Sequence, residues 1–406
     1  MTRPVRALLV NENIGGHATV HHHLRAVAAE RTDVAVDVRD VPPPDLLRRI
    51  AGLPLPGLAA LDADLRAARY QLAQSAWVAR ALPGWLRRGY DVVHLYTHNT
   101  GLLARRALRG VPYVVTLDST NAQSNLLHPV REPTRFSPLS TAATRPLERA
   151  LYSGAARVVA NSAWAAASLR ADYGVESDRL VVQPMGVPLA ATPESATAPT
   201  GPMGPMGPMG PTGQRVLPLT DLPVLVFVGR TMGRKGGRLV LEAHQRHLVD
   251  RCHLVLVTTD EVAPAGRPLR EVTVLRDVRP GDGVVDRVLA GAAVLALPSA
   301  IDQWPNAVME AMAHGVVPVV SDVGGMPEMV ADPSTAHGAG RSVGPPAGIV
   351  LPERSVAAVA RAVGDLLADP ARLERLGHAA RERVRRDLDV RLTAGALLDV
   401  LVDVAR

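Results

Sequence analysis

Short runs of β-branched residues alternate with longer segments of helical period along most of this chain, and no other feature limits its possible folds as strongly. Such alternation predicts βαβ units and parallel sheets. Six runs in the first half are predicted strands: Arg6–Val10, Val34–Val38, Val92–Tyr96, Tyr113–Leu117, Arg157–Asn161 and Leu180–Val182. Five more follow in the second half: Val224–Val228, His253–Thr258, Val272–Leu275, Val294–Leu297 and Val317–Ser321. We therefore expect an α/β protein with two Rossmann-like, doubly wound domains.

The alternation stops between Pro188 and Pro223, where the chain is rich in alanine, threonine, proline and glycine and repeats Gly-Pro-Met from Gly201 onward. A collagen triple helix draws its stability from length and from three chains, so this short tract favours a proline-stiffened linker. The predicted organisation is a first domain at 1–187, a linker at 188–222 and a second domain at 223–406, whose last helix is free to pack back on the first domain. Ligands of such sheets bind beyond the carboxyl ends of the strands, so we expect a site in a cleft that both domains face.

Composition limits the compartment and the partners. The single cysteine, Cys252, cannot form an intramolecular disulfide, which fits a reducing compartment. The apolar run Ala7–Val10 is too short for a signal-peptide core, and no run reaches the roughly 18 apolar residues of a spanning helix, so we expect a cytoplasmic protein. The net charge is +6, but residues 1–187 hold 22 Arg against 15 acidic residues, which places the positive surplus in the first half. The chain shows no basic stripe or stacking platform, so nucleic acid is not an expected partner.

The segment after the predicted strand Val224–Val228 carries the sharpest functional signal. Its loop begins at Gly229, presents Arg230 and Lys235, and opens a helix near Gly236. Backbone N–H groups at a helix start and two cations together suit a phosphate or diphosphate. Lys235 is the single lysine among 45 cationic residues, which suggests a need for a compact ammonium group. The alternative is a solvated basic turn.

Two carboxylates separated by seven residues, Asp302 and Glu310, follow the predicted strand Val294–Leu297. Carboxylates accept hydrogen bonds from vicinal hydroxyls, so the pair suits a ribose and a second sugar. The alternative places Asp302 at a helix start and Glu310 on the surface. Downstream, Gly324-Gly325 lets backbone amides approach a ligand closely, although a simple strand-to-helix turn explains the pair nearly as well.

Other candidate groups lie in the first half. The Gly15-Gly16 loop after the first strand is a second anion-facing candidate, but without G-x-G-x-x-G it is not a dinucleotide fingerprint. The tract His21-His22-His23 cannot converge on one metal ion, because consecutive helical side chains point about 100° apart. His94 and His98 lie at and just beyond a strand end, where either is able to meet substrate, with packing in the strand the better interpretation of His94.

Taken in order, these segments resemble the retaining glycosyltransferases of family 4, which have GT-B architecture. The matching segments are Gly229-Arg230 to Lys235-Gly236, Asp302 to Glu310 continuing to Gly315, Gly324-Gly325 to Glu328, Gly15-Gly16, Asp91 to His94, and Ala156 to Ser162. The resemblance covers nearly the whole chain apart from the linker and residues 41–90. It implies two Rossmann-like domains facing a cleft, and transfer of a hexose-type sugar from a nucleoside diphosphate to an unidentified acceptor hydroxyl, with no metal or other cofactor.

The resemblance also implies roles for single residues. Arg230 and Lys235 would hold the diphosphate and stabilise the charge that grows on it, so they are the catalytic candidates together with Asp118. Glu310 would bind the ribose. The remaining donor contacts would come from Gly16, Asp302, Trp304 and Asn306, and the acceptor side would include His17, His98 and Asp118.

Two departures from the family keep other functions open. Asp302 stands where the family usually has glutamate, and Asp118 stands where many members place a histidine; a helix cap explains Asp118 equally well. A catalytically silent nucleotide-sugar-binding protein and a nucleotide-sugar epimerase of the same architecture are the alternatives.

The arginine-rich segment from Leu65 to Arg88 bears on the acceptor, which the sequence leaves as a glycan, a lipid or a small molecule. Its apolar and aromatic residues predict either peripheral contact with an anionic membrane or an amphipathic helix that packs on its own domain.

Overall fold

The structure, a computed structural model, describes residues 3–12, 17–61, 63–124, 136–189, 221–262, 268–279, 281–330 and 345–406. Gly16, with the rest of the Gly15-Gly16 loop, lies outside the described residues, as do residues 190–220 of the predicted linker. The described chain divides into two compact units. The first is Met1–Gly186 with Val390–Arg406, and the second is Val187–Asp389.

The first unit is built on one parallel sheet. Its strands are β1 (Val5–Asn11), β2 (Val34–Asp40), β3 (Val92–Tyr96), β4 (Tyr113–Leu117), β5 (Arg157–Ala160) and β6 (Leu180–Val182). Its helices, in chain order, are α1 (His17–Ala29), α2 (Leu46–Ala51), α3 (Arg66–Leu86), α4 (Asn121–Ser124), α5 (Ser137–Ala142), α6 (Arg145–Gly154) and α7 (Ala163–Ala171). The strand order is β2-β1-β3-β4-β5-β6. Every residue of β3 and β4 is buried, as in parallel strands covered on both faces.

The second unit repeats this architecture. Its strands are β7 (Val224–Val228), β8 (His253–Val257), β9 (Val272–Leu275), β10 (Val294–Leu297), β11 (Val317–Ser321) and β12 (Ile349–Leu351), in the order β12-β11-β10-β7-β8-β9. Its helices are α8 (Gly237–Ala243), α9 (Val284–Ala290), α10 (Asn306–Ala313), α11 (Met326–Val330), α12 (Val356–Ala368) and α13 (Pro370–Arg383). The two predicted doubly wound sheets are confirmed. The sequence interpretation missed β12, a three-residue strand too short for a periodic signal.

The last helix, α14 (Val390–Ala405), belongs to the first unit although it follows the second in sequence. Leu398 and Leu401 of α14 pack with Leu24 of α1 and Leu9 of β1 in one hydrophobic cluster. The neighbouring strand residue Leu8 belongs to the cluster on the other face, so the sheet has a hydrophobic layer on each side. Among the helices of the described ranges, none is long and apolar enough to cross a membrane.

Strand order determines where a ligand site can form in each unit. Chain connections leave in opposite directions at the point where β1 neighbours β3 in the first sheet, and where β7 neighbours β10 in the second. Doubly wound sheets bind ligands outside the carboxyl ends of the strands at such switch points. The loop after β7, which carries Arg230 and Lys235, therefore lies beside the loop after β10, which carries Asp302.

Candidate functional site

The loops after β7 and β10 are tied together by short hydrogen bonds. The backbone N–H of Ala300 donates to the Arg234 carbonyl at 2.8 Å, and the Arg234 guanidinium donates to the Ile301 carbonyl at 3.0 Å. Gly236 caps the start of α8 with φ +82°, and a Cβ there would overlap the carbonyl of Pro298. Glycine is needed at 236 both for the left-handed backbone and for the close approach of the two loops.

The structure brings Lys235 and Asp302 into direct contact. The Lys235 ammonium donates to Asp302 Oδ2, and Ser299 Oγ donates to the same oxygen at 3.2 Å. Asp302 is 7% exposed, so its carboxylate is stabilised by these two donors rather than by water. The N-cap residue of helix α10 is Pro305, which makes no side-chain capping hydrogen bond. The Asp302 carboxylate binds Lys235 and Ser299, which does not match the alternative of a helix-capping aspartate.

Arg230 lies at the surface of the same loop with its guanidinium exposed. Its backbone carbonyl accepts hydrogen bonds from Thr259 Oγ1 at 2.8 Å and Thr258 Oγ1 at 3.2 Å, which anchor the loop to the end of β8. Within the described ranges, Arg230 has no ion-pair partner. Of the three cations in this loop, Arg230 is solvated, Arg234 donates to a carbonyl of the β10 loop, and Lys235 is paired with a carboxylate.

Glu310 occupies the second turn of α10 and is only partly accessible to solvent. Burial raises the pKa of its carboxyl from 4.5 to about 7, the nearby charge of Asp286 adds to the effect, and His314 opposes it. The Glu310 carboxylate accepts no hydrogen bond from the part of the chain that is described. A partly buried carboxylate without donors is suited to vicinal hydroxyls, and its burial excludes the surface alternative.

Trp304 and Asn306 flank the start of α10. Trp304 is 6% exposed and its indole N–H donates to Met309 Sδ at 3.3 Å, so its ring forms part of the core beneath the loop. Asn306 is half-buried in the first helical turn. Donor contact through the backbone of this turn stays a prediction.

The glycine pair after β11 supports the β10 loop from the opposite side to Lys235. Gly324 has φ +60°, and a Cβ there would overlap the Asp302 carbonyl. The Gly325 N–H donates to the Gln303 carbonyl at 2.8 Å. The expectation that these amides approach a ligand therefore needs correction for Gly325, whose N–H binds the neighbouring loop.

Arg354 is a site residue that the sequence interpretation missed. Its guanidinium donates to the Pro298 carbonyl at 2.9 Å and to the Gly233 carbonyl at 3.2 Å, so it bridges the β10 and β7 loops. It follows β12, the strand that was also missed, and no motif surrounds it. The sequence could have placed Arg354 at a strand end only if β12 had been recognised as a strand.

In the first unit, Asp118 follows the carboxyl end of β4 and is half-buried. Its charge contributes to the raised pKa values of Tyr96 and Tyr152, after the larger effect of burial. The helix that follows is capped by other residues, because Thr120 Oγ1 accepts from the Gln123 N–H at 3.3 Å and Gln123 Oε1 accepts from the Thr120 N–H at 3.1 Å. Thr120 therefore takes part in capping this helix, and a role of Asp118 in the site stays a prediction.

The histidines of the first unit occupy different environments. His98 is 5% exposed, with Nε2 3.4 Å from Glu148 Oε1, so its imidazole lies inside the unit. His94 is fully buried beside Thr116 in the sheet, and burial lowers its pKa to about 3. His17 is the first residue of α1, and its side chain lies outside the described part of the structure.

Comparisons with known proteins agree with this architecture. A family model described as "Glycosyl transferase 4-like domain" matches residues 15–186, and one described as "Glycosyl transferases group 1" matches residues 222–369. The chain is 30% identical over 315 residues to alpha-maltose-1-phosphate synthase of Mycolicibacterium smegmatis, covering 72% of this chain and 73% of that protein. It is 27% identical over 366 residues to D-inositol 3-phosphate glycosyltransferase of Nocardia farcinica, covering 84% and 72%.

Solved structures share the fold at low sequence identity. Sucrose-phosphate synthase from Thermosynechococcus elongatus aligns with a TM-score of 0.63 and 19% identity, over 99% of this chain and 100% of that chain. A UDP-forming alpha,alpha-trehalose-phosphate synthase from Burkholderia vietnamiensis aligns with a TM-score of 0.67 and 11% identity, over 99% of each chain.

Proposed function

Because the chain belongs to the glycosyltransferase 4-like family and has the GT-B fold, we propose that it transfers a hexose-type sugar from a nucleoside diphosphate sugar to an acceptor hydroxyl with retention of configuration. The chain is a glycosyltransferase; the donor class, the stereochemistry and the residue roles are the proposal. The observation that carries it is the pair of interlocked strand-end loops at the switch point of the second unit, where Lys235, in the loop that bears the exposed Arg230, pairs with Asp302, in the loop that precedes α10 with Glu310.

The donor diphosphate binds Arg230 and Lys235 in this proposal. A diphosphate offers Lys235 a stronger anionic partner than Asp302, so donor binding exchanges the Lys235–Asp302 ion pair for a Lys235–phosphate pair. Asp302 then becomes available to accept a hydrogen bond from a hydroxyl of the transferred sugar. Glu310, which lacks donors of its own in the described structure, accepts from the ribose hydroxyls.

The chemical step follows from the same charges. As the bond between the anomeric carbon and the β-phosphate oxygen breaks, negative charge grows on that oxygen, and the Lys235 and Arg230 cations stabilise it. The acceptor hydroxyl attacks from the face that the phosphate leaves, and its proton passes to the leaving phosphate. The two cations supply the electrostatic stabilisation that a metal ion provides in other transferases, so we propose a metal-independent reaction without a cofactor.

The acceptor is proposed to carry both a hydroxyl and a phosphate. Two relatives are named for phosphorylated compounds, maltose 1-phosphate and D-inositol 3-phosphate, and the first 187 residues of this chain hold 22 Arg against 15 acidic residues. A free sugar phosphate and a phosphorylated lipid share this chemistry. We place the enzyme in the cytoplasm, with its first unit able to contact an anionic membrane.

A titration calorimetry series with UDP-, GDP-, ADP- and TDP-glucose tests the donor assignment. Lys235→Ala is expected to weaken binding of the preferred donor by about tenfold or more, the loss of one charge-assisted hydrogen bond. Lys235→Arg retains part of the affinity, and Arg238→Ala, which removes an exposed cation on α8, binds as the wild type does. Normal donor binding by Lys235→Ala would show that the phosphate lies elsewhere.

Product analysis separates the proposed reaction from its alternatives. The transferase releases nucleoside diphosphate only when a phosphorylated hydroxyl acceptor is present, and NMR of the product shows the donor's anomeric configuration. A silent binding protein shows donor affinity without release across the acceptor panel. An epimerase converts the donor sugar with no acceptor at all.

A further inference from the structure

Large aliphatic side chains are concentrated on one exposed segment of the first unit, which we call the leucine face. Its members are 42–72% exposed: Leu46, Leu47, Ile50, Leu53, Leu55, Leu58 and Leu61. Single exposed leucines are ordinary in soluble proteins, but seven within 16 residues form a patch of the kind that marks an interaction surface.

Helix α2, which carries the first three of these side chains, has its polarity inverted. Its buried residue is Arg48, 3% exposed, while Leu46, Leu47 and Ile50 point to solvent. A helix on the surface of a soluble domain normally buries its apolar stripe and exposes its charges. We therefore expect the exposed, apolar side of α2 to be covered by an apolar partner.

The inversion is held in place by the interior of the unit. The Arg48 guanidinium donates to the carbonyls of Pro42 at 3.0 Å and Pro43 at 2.9 Å, and to Gln74 Oε1 at 3.1 Å. It also lies over the Trp77 ring, 5.3 Å from the centroid. Rotating α2 to bury its leucines would remove a buried cation from all of these acceptors, which is strongly unfavourable.

The rest of the leucine face is fastened from beneath as well. The Arg66 Nε donates to the Gly52 carbonyl at 2.5 Å, and the Arg69 guanidinium donates to the Leu53 carbonyl at 2.8 Å. The Leu55 N–H donates to Asp64 Oδ2 at 3.2 Å. Polar side chains thus bind the backbone of the segment from the protein side, while its leucines remain outside.

The charges around the leucine face identify its partner. Residues 45–88 contain seven arginines against three aspartates, Asp45, Asp62 and Asp64, and the Asp64 side chain is fully buried. Arg49 is exposed on α2 itself, and Arg80, whose charge acts on the α2 N-cap Asp45, is exposed on α3. Apolar side chains combined with an excess of cations suit an anionic lipid surface.

The structure also corrects where in the sequence this surface lies. The segment from Leu65 to Arg88 was the sequence-based candidate, but its Trp77 and Trp85 are partly buried and pack against the core of the first unit. This segment therefore forms an amphipathic helix that packs on its own domain, which was the alternative interpretation. The apolar side chains that remain outside belong to the residues before it.

We propose that the leucine face inserts into the outer part of an anionic lipid leaflet and holds the first unit at the membrane. This inference rests on the proposed function, because it names the membrane as the source of the phosphorylated acceptor. Insertion is peripheral, and it is independent of the donor loops in the second unit.

Sedimentation of the full chain with lipid vesicles tests the inference. The wild type is expected to sediment with vesicles of phosphatidylcholine and phosphatidylglycerol, and far less with phosphatidylcholine alone. In the triple variant Leu46→Ser, Leu47→Ser, Ile50→Ser, the affinity for the anionic vesicles should fall by about tenfold or more. The matched control substitutes three exposed leucines from other elements and keeps the wild-type binding: Leu103→Ser, Leu139→Ser and Leu392→Ser.

A second variant provides a signal that does not depend on loss of binding. Leu47→Trp places an indole on the leucine face, and its fluorescence should shift to the blue on addition of the anionic vesicles. Equal sedimentation of the triple variant and the wild type, or an unchanged Leu47→Trp spectrum, overturns the proposal. A dimer that the triple variant dissociates, with no vesicle binding by the wild type, also overturns it in favour of a second copy.

The outcome can be separated from that of the proposed function. Donor affinity measured by calorimetry is expected to be the same in the triple variant and the wild type, which also shows that the variant is folded. Loss of vesicle binding with intact donor affinity concerns the leucine face alone, and loss of donor affinity in Lys235→Ala concerns the donor site alone.

Discussion

Replacing Glu310 with glutamine should remove the part of the pH dependence of folding stability that comes from titration of this carboxyl between pH 4.5 and about 7. The pKa of the Glu310 carboxyl is raised from 4.5 to about 7 by burial first and by the Asp286 charge second. Between these two values the folded chain holds a proton that the unfolded chain has released. The free energy of unfolding therefore falls as the pH rises through this window, and the stabilising contribution is complete only below the lower value.

The size of the effect follows from the two pKa values. The shift from 4.5 to about 7, at 1.36 kcal/mol for each pKa unit, corresponds to about 3 kcal/mol lost from the wild type across the window. Glu310→Gln keeps the shape of the side chain and removes the titration. The stability of the variant relative to the wild type should therefore increase by about 3 kcal/mol between about pH 5 and about pH 8.

Urea unfolding measures this difference, and Trp304, buried in the second unit, reports it by fluorescence. Both proteins carry the substitutions Trp77→Phe, Trp85→Phe and Trp164→Phe, so that the signal comes from the second unit alone. Other titrating groups cancel because they are common to both proteins. Glu374→Gln, which changes an exposed carboxylate on α13, is the control and should leave the pH dependence unchanged.

The argument would be refuted if the free energies of unfolding of the wild type and Glu310→Gln differed by the same amount at both pH values. Glu310 would then titrate alike in the folded and unfolded chains. The same carboxylate bears on function. If it accepts ribose hydroxyls as proposed, donor affinity should rise as the pH passes about 7, and Glu310→Gln should remove that rise.

Three further outcomes follow from single contacts. Gly324→Ala should lower the stability of the second unit to thermal unfolding by about 1–3 kcal/mol, because it strains a backbone at φ +60° and its Cβ would displace the loop after β10. The control, Gly233→Ala, adds a Cβ in open space and should have little effect. Arg354→Ala should weaken donor binding in calorimetry while changing secondary structure little, and an unchanged affinity would show that the two loops do not need this bridge. Tyr173→Phe should cost about 1–3 kcal/mol in urea unfolding, because the hydroxyl donates to the buried Glu148 carboxylate at 2.5 Å, and a neutral result would show that another donor replaces it.

Local patterns in the sequence predicted much of the fold. The eleven expected strands are all present, because each is a short run rich in β-branched and other aliphatic residues bounded by turn residues, and both properties are readable within about ten residues. The loops that carry Arg230, Lys235 and Asp302, and the helix that carries Glu310, were found for the same reason. Strand β12 escaped because three residues carry no periodic signal.

Partners within the site were beyond the reach of the sequence. Lys235 and Asp302 are 67 residues apart and meet only because β7 and β10 are neighbours in the sheet. Arg354 reaches the same loops from β12, and the Gly325 N–H is taken by the β10 loop. Each contact depends on strand order, which no local pattern encodes.

By itself, the sequence determined that this chain forms two parallel α/β units with a glycine-containing, cationic loop after β7, because hydrophobic period and turn chemistry act over short stretches of chain. Tertiary structure alone decided which carboxylate pairs with the single lysine, and that Arg48 rather than the leucines of α2 is buried. Both outcomes depend on a charged group finding hydrogen-bond acceptors that are distant in sequence, and only the folded chain brings those groups within reach.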